Sequence, residues 1–286
     1  MEGDEVSAPA SAESSQDGLN RATWARTVLE FVTEGWADRG ELAMLLDLSD
    51  EFRGRSILDI GVGAGRTVPL IRLMTRDYIA LDYTAEMVQL CADRYPDVDV
   101  RHDDARTLST VPDDSIELVM FSANGIDAVG HEDRQEVLNS VHRVLRPGGV
   151  FAFSTLNRDG AFFGATPADA PDTPWVPGSL RPRSTSIEQQ QASDDDDLPW
   201  IRAVRNWRRL RSRTQDHGEW AIGPFAAHEF SLLVHFITLS GARRELAERG
   251  FVLEKIYQCD DAHPLVGAST NALYFHVVAR VATIPA

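Results

Sequence analysis

Between Ser56 and Ser154 short apolar runs alternate with longer segments whose apolar residues recur every three or four positions. The strand-like runs are the stretch ending in Asp59, 78–81 and 98–101, and further apolar runs occupy 116–121 and 150–154. Between them, Thr84 heads a helix carrying Met87, Val88 and Cys91 on one face, closed at Tyr95-Pro96. His131 to Leu145 forms another, with Val137, Leu138, Val141, Val144 and Leu145 in one stripe and Pro147-Gly148 beyond. Upstream, the spacing predicts an amphipathic helix over 20–36 and a second over 39–48. Downstream, it predicts a helix over 241–249. Alternating βαβ units of this kind require an α/β, doubly wound, mostly parallel sheet with helices on both faces. Ligands of such sheets sit beyond the C-terminal strand ends, where Asp59, Asp82, Asp104 and Ser122 fall.

The pattern breaks between 157 and 237. The first half of that stretch is rich in Pro, Ala, Asp and Ser and includes Gln189 to Asp197, which is expected to stay loose. The second half carries Trp200, Trp207, Trp220, Phe225, Phe230 and Phe236, with an apolar run over 230–237. The expected organisation is a disordered acidic tail over 1–18, N-terminal helices over 19–54, a core formed by 55–156 and 238–286, and an inserted substrate lid over 157–237. Trp24 and Trp36 are available to roof a ligand site, though packing against the sheet is the expected role for both.

Composition narrows the class. With 286 residues, 43% hydrophobic and 25% charged, the chain has the material for a full globular core. No apolar run is long enough to span a bilayer and the start is acidic rather than signal-like, so a cytoplasmic protein is expected. Cys91 and Cys259 alone imply neither a disulfide framework nor a zinc site, and no metal is expected. A net charge of −16 opposes binding to nucleic acid or an anionic membrane. The arginines at 202, 205, 208, 209, 211 and 213 follow Asp194 to Asp197 and read as a solvated helix face. Contact with an anionic substrate group is the alternative.

The most informative stretch is Arg55-Ser-Ile-Leu-Asp-Ile-Gly-Val-Gly-Ala-Gly-Arg66. A buried strand ends at Asp59 and three alternating glycines turn the chain toward a helix expected near Ala64. The missing β-carbons let backbone approach a ligand closely. Asp82 follows by about 20 residues at the next strand end, a place suited to binding a ribose diol. A nicotinamide-type turn calls for a small residue where Arg66 stands, and Asp59 would repel a pyrophosphate but welcome a cation.

This Asp-x-Gly-x-Gly-x-Gly-Arg pattern resembles motif I of the class I, Rossmann-like S-adenosylmethionine-dependent methyltransferases. The resemblance extends in family order through Asp104-Ala105, 116–121, Ser122 to Asp127, Arg143 to Gly149, Glu248 to Phe251 and 272–278. It implies a seven-stranded sheet closed by an antiparallel hairpin, with the insertion after the fifth strand. It also implies S-adenosyl-L-methionine as cofactor and S-adenosyl-L-homocysteine as product. On the family pattern Gly61, Gly63 and Gly65 shape the turn holding the methionine part. Asp59 faces its ammonium, Asp82 with Tyr83 lies at the ribose, Met87 on the adenine face, Asp104 and Ala105 at the adenine edge, and Ser122 near the methionine.

Methyl transfer needs alignment and exclusion of water more than acid–base groups, so acceptor-side residues are poorly marked. Asn124, Asp127 and His131 are the catalytic candidates, each with an ordinary turn or capping role as its alternative. His217, His228 and His235 lie in the insertion and are expected to be structural. The expected activity is methylation of nitrogen or oxygen on a small organic acceptor, with specialised metabolism as one setting. RNA or protein methylation, or cofactor binding without catalysis, are the alternatives. No nucleic-acid or membrane partner is expected.

Overall fold

The computed structural model describes residues 16–26, 37–169 and 199–283. Most of the expected tail, residues 27–36 of the first helix, and the Gln- and Asp-rich stretch lie outside the described residues. In chain order the elements are α1 (Gln16–Arg26), α2 (Arg39–Ser49), β1 (Ile57–Ile60), α3 (Val68–Ile71), β2 (Tyr78–Asp82), α4 (Ala85–Arg94) and β3 (Asp99–His102). Then come β4 (Ile116–Phe121), α5 (His131–Val144), β5 (Leu145–Leu156), α6 (Pro199–Leu210), β6 (Gln215–Asp216), β7 (Trp220–Pro224) and β8 (Leu233–Ile237). The chain closes with α7 (Leu239–Glu248), β9 (Phe251–Gln258) and β10 (Tyr274–Val281).

Seven strands form one sheet in the order β3-β2-β1-β4-β5-β10-β9, parallel except where β10 pairs antiparallel with β5 and β9. The order reverses at β1, so the crevice beyond β1 and β4 is the topological switch point. Successive side chains of a strand point to opposite faces, and here both faces are covered. Leu58, Ile60, Val119, Phe121, Phe151 and Phe153 pack beneath Val137, Leu138 and Val141 of α5 and Ala242 and Leu246 of α7. The intervening Ile57, Leu118, Met120, Val150 and Ala152 face Met44 and Leu48 of α2, Ile71 of α3 and Cys91 of α4. Both cysteines are buried free thiols. The β3 edge carries Asp99 and Arg101, charges that discourage further strand pairing.

Capping fixes the helices that frame the sheet. The Asp38 carboxylate accepts the Glu41 N–H at 2.8 Å, starting α2, and also binds Tyr274 and His276 of β10. Thr238 caps α7 through the Gly241 N–H. The helix expected near Ala64 is delayed and brief, because Gly61, Gly63 and Gly65 all have positive φ and α3 begins only at Val68.

Residues after β5 leave the sheet and build a separate antiparallel sheet, β6-β7-β8, with α6 against it. Phe162, Phe225, Val234 and Phe236 pack with Leu156 and Tyr274 of the main sheet. Helix α1 bridges the two parts: buried Asn20 donates to the carbonyls of Ala128 and Leu233. No described helix is long and apolar enough to cross a membrane.

At the α5–α7 contact, wholly buried Arg134 donates to Asp127 at 2.6 Å and to Glu245 at 2.7 Å, while Asp127 also accepts from Thr155 and the Leu156 N–H. Removing one partner of a buried pair strands the other, whereas exposed pairs contribute little. Asp127→Ala is therefore expected to cost about 3–5 kcal/mol in urea unfolding. Glu51→Ala, which breaks an exposed contact to Arg280, should cost less than about 1 kcal/mol. Equal losses would contradict a structural role for this network.

Candidate functional site

A cavity of about 660 Å³ opens over the C-terminal ends of β1, β2 and β4, a size usual for small-molecule sites. Its floor is the turn after β1. The β1–β2 ladder continues past the strand through Val62 N–H to the Leu81 carbonyl, and the Asp82 carboxylate then takes over. Its Oδ2 accepts the Gly63 N–H at 3.0 Å and its Oδ1 the Thr84 N–H at 2.8 Å. Burial raises the Asp82 carboxyl above its ordinary range, opposed by the Thr84 and Gly63 N–H groups. Each carboxylate oxygen has a second lone pair, so this clamp keeps acceptor capacity for a diol.

The three glycines do different work. A β-carbon on Gly63, where φ is +55°, would meet nothing within 4 Å and enter the cavity. One on Gly61 would lie 2.8 Å from the Phe121 ring, and one on Gly65 would lie 2.4 Å from Tyr95. Gly61 and Gly63 line the cavity. Gly65 lies behind the turn, where its missing β-carbon leaves room for Tyr95 and Cys91.

Two further ties hold the turn. Arg66 reaches back to Glu41 of α2 through two hydrogen bonds of 2.7 and 2.8 Å, both side chains being buried. Asp59 lines the cavity with its Oδ2 bonded to Thr67 and, at 2.9 Å, to the Tyr78 hydroxyl. Burial pushes the Asp59 carboxyl up to about 6, against the hydrogen bonds from Thr67 and Tyr78.

Tyr83, Met87, Asp104, Ala105 and Ser122 also line the cavity. Arg21 of α1 lies 4.2 Å above the Tyr83 ring and donates to Asp104 at 2.7 Å. Against the effect of burial, Arg106 and Arg21 hold Asp104 down at about 2. Three hydroxyls on residues that line this space, Tyr83 Oη, Thr84 Oγ1 and Ser122 Oγ, are buried without a hydrogen-bond partner from the protein. Such groups are costly unless a ligand or water completes them. Together with the acids Asp59 and Asp82 they fit a polar, cationic molecule carrying a diol.

The catalytic candidates are placed elsewhere. Asp127 belongs to the buried Arg134 network, and His131 stacks on Trp220 at 3.9 Å while its Nδ1 lies 3.1 Å from His235 Nε2. Neither lines the cavity, and Asn124 occupies a left-handed turn whose N–H donates to Ser154. The residues that do face the opening from the far side are Trp24, Phe225, His228 and Glu229. Trp24 both packs against the apolar cluster around Phe225 and Tyr274 and forms part of the cavity wall, with its ring edge-on to His228 at 5.2 Å. The place of His228 is set by long-range packing between α1 and the insertion, for which aromatic density is the sole sequence signal. Among the described residues no group of three or more His, Cys, Asp or Glu side chains is gathered as a metal site.

Comparison with known proteins agrees with this geometry. Residues 57–149 match the family described as Methyltransferase domain. A probable S-adenosylmethionine-dependent methyltransferase of Mycolicibacterium smegmatis is 34% identical over 137 residues, 48% of this chain and 51% of that protein. The match therefore spans about half the length of that relative. A malonyl-[acyl-carrier protein] O-methyltransferase of Salmonella typhimurium is 26% identical over 66% of this chain and 68% of its own. Among solved structures, the 1,6-didemethyltoxoflavin-N1-methyltransferase of Burkholderia thailandensis, with S-adenosylhomocysteine bound, superposes with a TM-score of 0.56. That likeness covers 97% of this chain and 94% of the other at 14% identity, and so concerns the fold. With the sheet order, the glycine turn and the domain match in agreement, the chain carries a class I, Rossmann-like S-adenosylmethionine-dependent methyltransferase domain.

Proposed function

We propose that the protein transfers the methyl group of S-adenosylmethionine to nitrogen or oxygen of a small organic acceptor. The observation that carries this reading is one cavity with two unlike sides. A polar floor of glycine turn and strand-end acids faces aromatic side chains from α1 and the inserted segment. The cofactor supplies an electrophilic methyl on a sulfonium. The protein's share is to hold it against the turn, align the acceptor opposite, and keep water out. Asp59 would balance the ammonium, Asp82 would accept from the ribose hydroxyls, and Met87, Asp104 and Ala105 would border the adenine. The inserted segment would then serve as the acceptor-side cover.

The two named relatives act on different atoms, oxygen in one and nitrogen in the other, so kinship does not choose between them. RNA is disfavoured by the net charge of −16, since a polyanion would approach a like-charged surface.

Calorimetry with S-adenosylhomocysteine is expected to show binding of about −6 to −9 kcal/mol, with none for NADH. Asp82→Ala should lose about 1–3 kcal/mol of that affinity, because charge-assisted bonds to a diol go with it. Undiminished affinity in that variant would remove the ribose assignment.

Asp59 makes the binding pH-dependent. Its folded value is raised to about 6, so its contribution to the free protein's stability is full below the unfolded carboxylate value and lost as pH rises through about 6. A bound ammonium has the opposite preference and favours the ionised form. Affinity for S-adenosylhomocysteine should therefore rise about tenfold from pH 5 to pH 7.5, and Asp59→Asn should flatten the profile. A flat profile in the parent protein would place the ammonium elsewhere.

A further inference from the structure

Resting on that reading, the far side of the cavity says which acceptors fit. Once the cofactor residues are set aside, the remaining wall is mainly aromatic and aliphatic: Trp24, Phe225 and His228 beside Ile126 and Val129. Flat rings of this kind enclose a flat molecule and exclude water from it. Beside these rings stands the acid Glu229.

Glu229 is held in place at some cost. His228, Glu229 and Phe230 are three successive non-glycine residues with φ of +51°, +54° and +56°, a conformation L side chains adopt rarely. Helix α6 fixes this turn from outside. Arg202 grips the Glu229 carboxylate through two hydrogen bonds of 2.6 Å, and Asn206 donates to the Glu229 carbonyl at 3.0 Å. Trp24 holds the other side through its contact with His228. Strain kept by so many independent contacts is the kind found where side chains must be presented to a ligand.

Charge gives the second argument. Among the described residues, five carboxylates line the cavity, Asp59, Asp82, Asp103, Asp104 and Glu229, against one cation, Arg66. Arg66 is buried and its guanidinium is engaged by Glu41. Arg202 is not part of the wall, and the two side chains of the Arg202–Glu229 pair are 45% and 35% exposed, so water screens both charges and the excess of acid comes from the wall as a whole. An anionic acceptor entering here would meet like charge, whereas each Glu229 oxygen keeps a lone pair for an incoming N–H.

We propose that Trp24, Phe225, His228 and Glu229 form an acceptor subsite for flat aromatic or heteroaromatic amines, with Glu229 the residue that selects against anionic acceptors. Aromatic walls take the ring, and the carboxylate at the strained turn takes the basic nitrogen.

The test uses two probes of similar shape and opposite charge, tryptamine and indole-3-propionate, titrated calorimetrically into the full chain saturated with S-adenosylhomocysteine. Tryptamine should bind about tenfold or more tightly than indole-3-propionate. Glu229→Gln retains a hydrogen-bonding partner for Arg202 and should shrink that ratio to about twofold, leaving S-adenosylhomocysteine affinity as it was. Trp24→Ala should weaken both probes alike. Equal or tighter binding of indole-3-propionate overturns the proposal, as do failure of both probes to bind and an unchanged ratio in Glu229→Gln. Failure of S-adenosylhomocysteine itself to bind would instead overturn the methyltransferase reading, so the two failures are told apart.

Discussion

The site depends on the clamp that Asp82 closes at the end of β2. One carboxylate holds Gly63 on the neighbouring strand's turn and Thr84 at the start of α4. It thereby continues the parallel β1–β2 ladder with a side chain just where the backbone ladder ends. Ordering a turn with three positive-φ glycines costs much conformational entropy, which this tie helps to offset. Arg66 on Glu41 and Thr67 on Asp59 brace the same turn from α2 and β1. The result is a rigid, acidic cradle in which Gly63 presents bare backbone to the cavity. A preorganised surface of this kind spends little binding free energy on ordering itself.

Much of this was legible along the chain, for local reasons. The stretch expected to end in Asp59 runs one residue further, to Ile60, and 116–121 is a strand as expected, because a sheet covered on both faces leaves a nearly continuous apolar run. Asp59, Asp82, Asp104 and Ser122 reach one cavity because parallel strands with right-handed crossovers bring their ends to one edge. What depends on distant partners was not legible. The helix after the glycines starts late, since left-handed backbone cannot be propagated as α-helix. Asp127 reads as a carboxylate beside a strand end, yet its partner Arg134 is tied to Glu245, 111 positions away, and the group is buried in an α5–α7 network. His131 likewise turns from the cavity to stack on Trp220. Trp24 and His228 meet only because α1 and the insertion pack over the same opening.

The segment after β5 and α1 cover the crevice from one side. Asn20 ties α1 both to Ala128, beyond β4, and to Leu233 in the smaller sheet. Arg21, on the same helix, covers Tyr83 and reaches Asp104. Core and cover are thus coupled through one short helix, and the acceptor side is built from residues far apart in sequence.

The central claim is that the cavity over β1, β2 and β4 holds S-adenosylmethionine against the Gly61–Gly63 turn. A crystal structure of the complex with S-adenosylhomocysteine tests it most directly. The account predicts the amino-acid end beside Asp59 and Gly61, the ribose hydroxyls within hydrogen-bond distance of Asp82, and the adenine beside Asp104 and Ala105. The ligand's sulfur should face Trp24 and His228. Density for the ligand outside this cavity, or a ribose with no contact to Asp82, would contradict it.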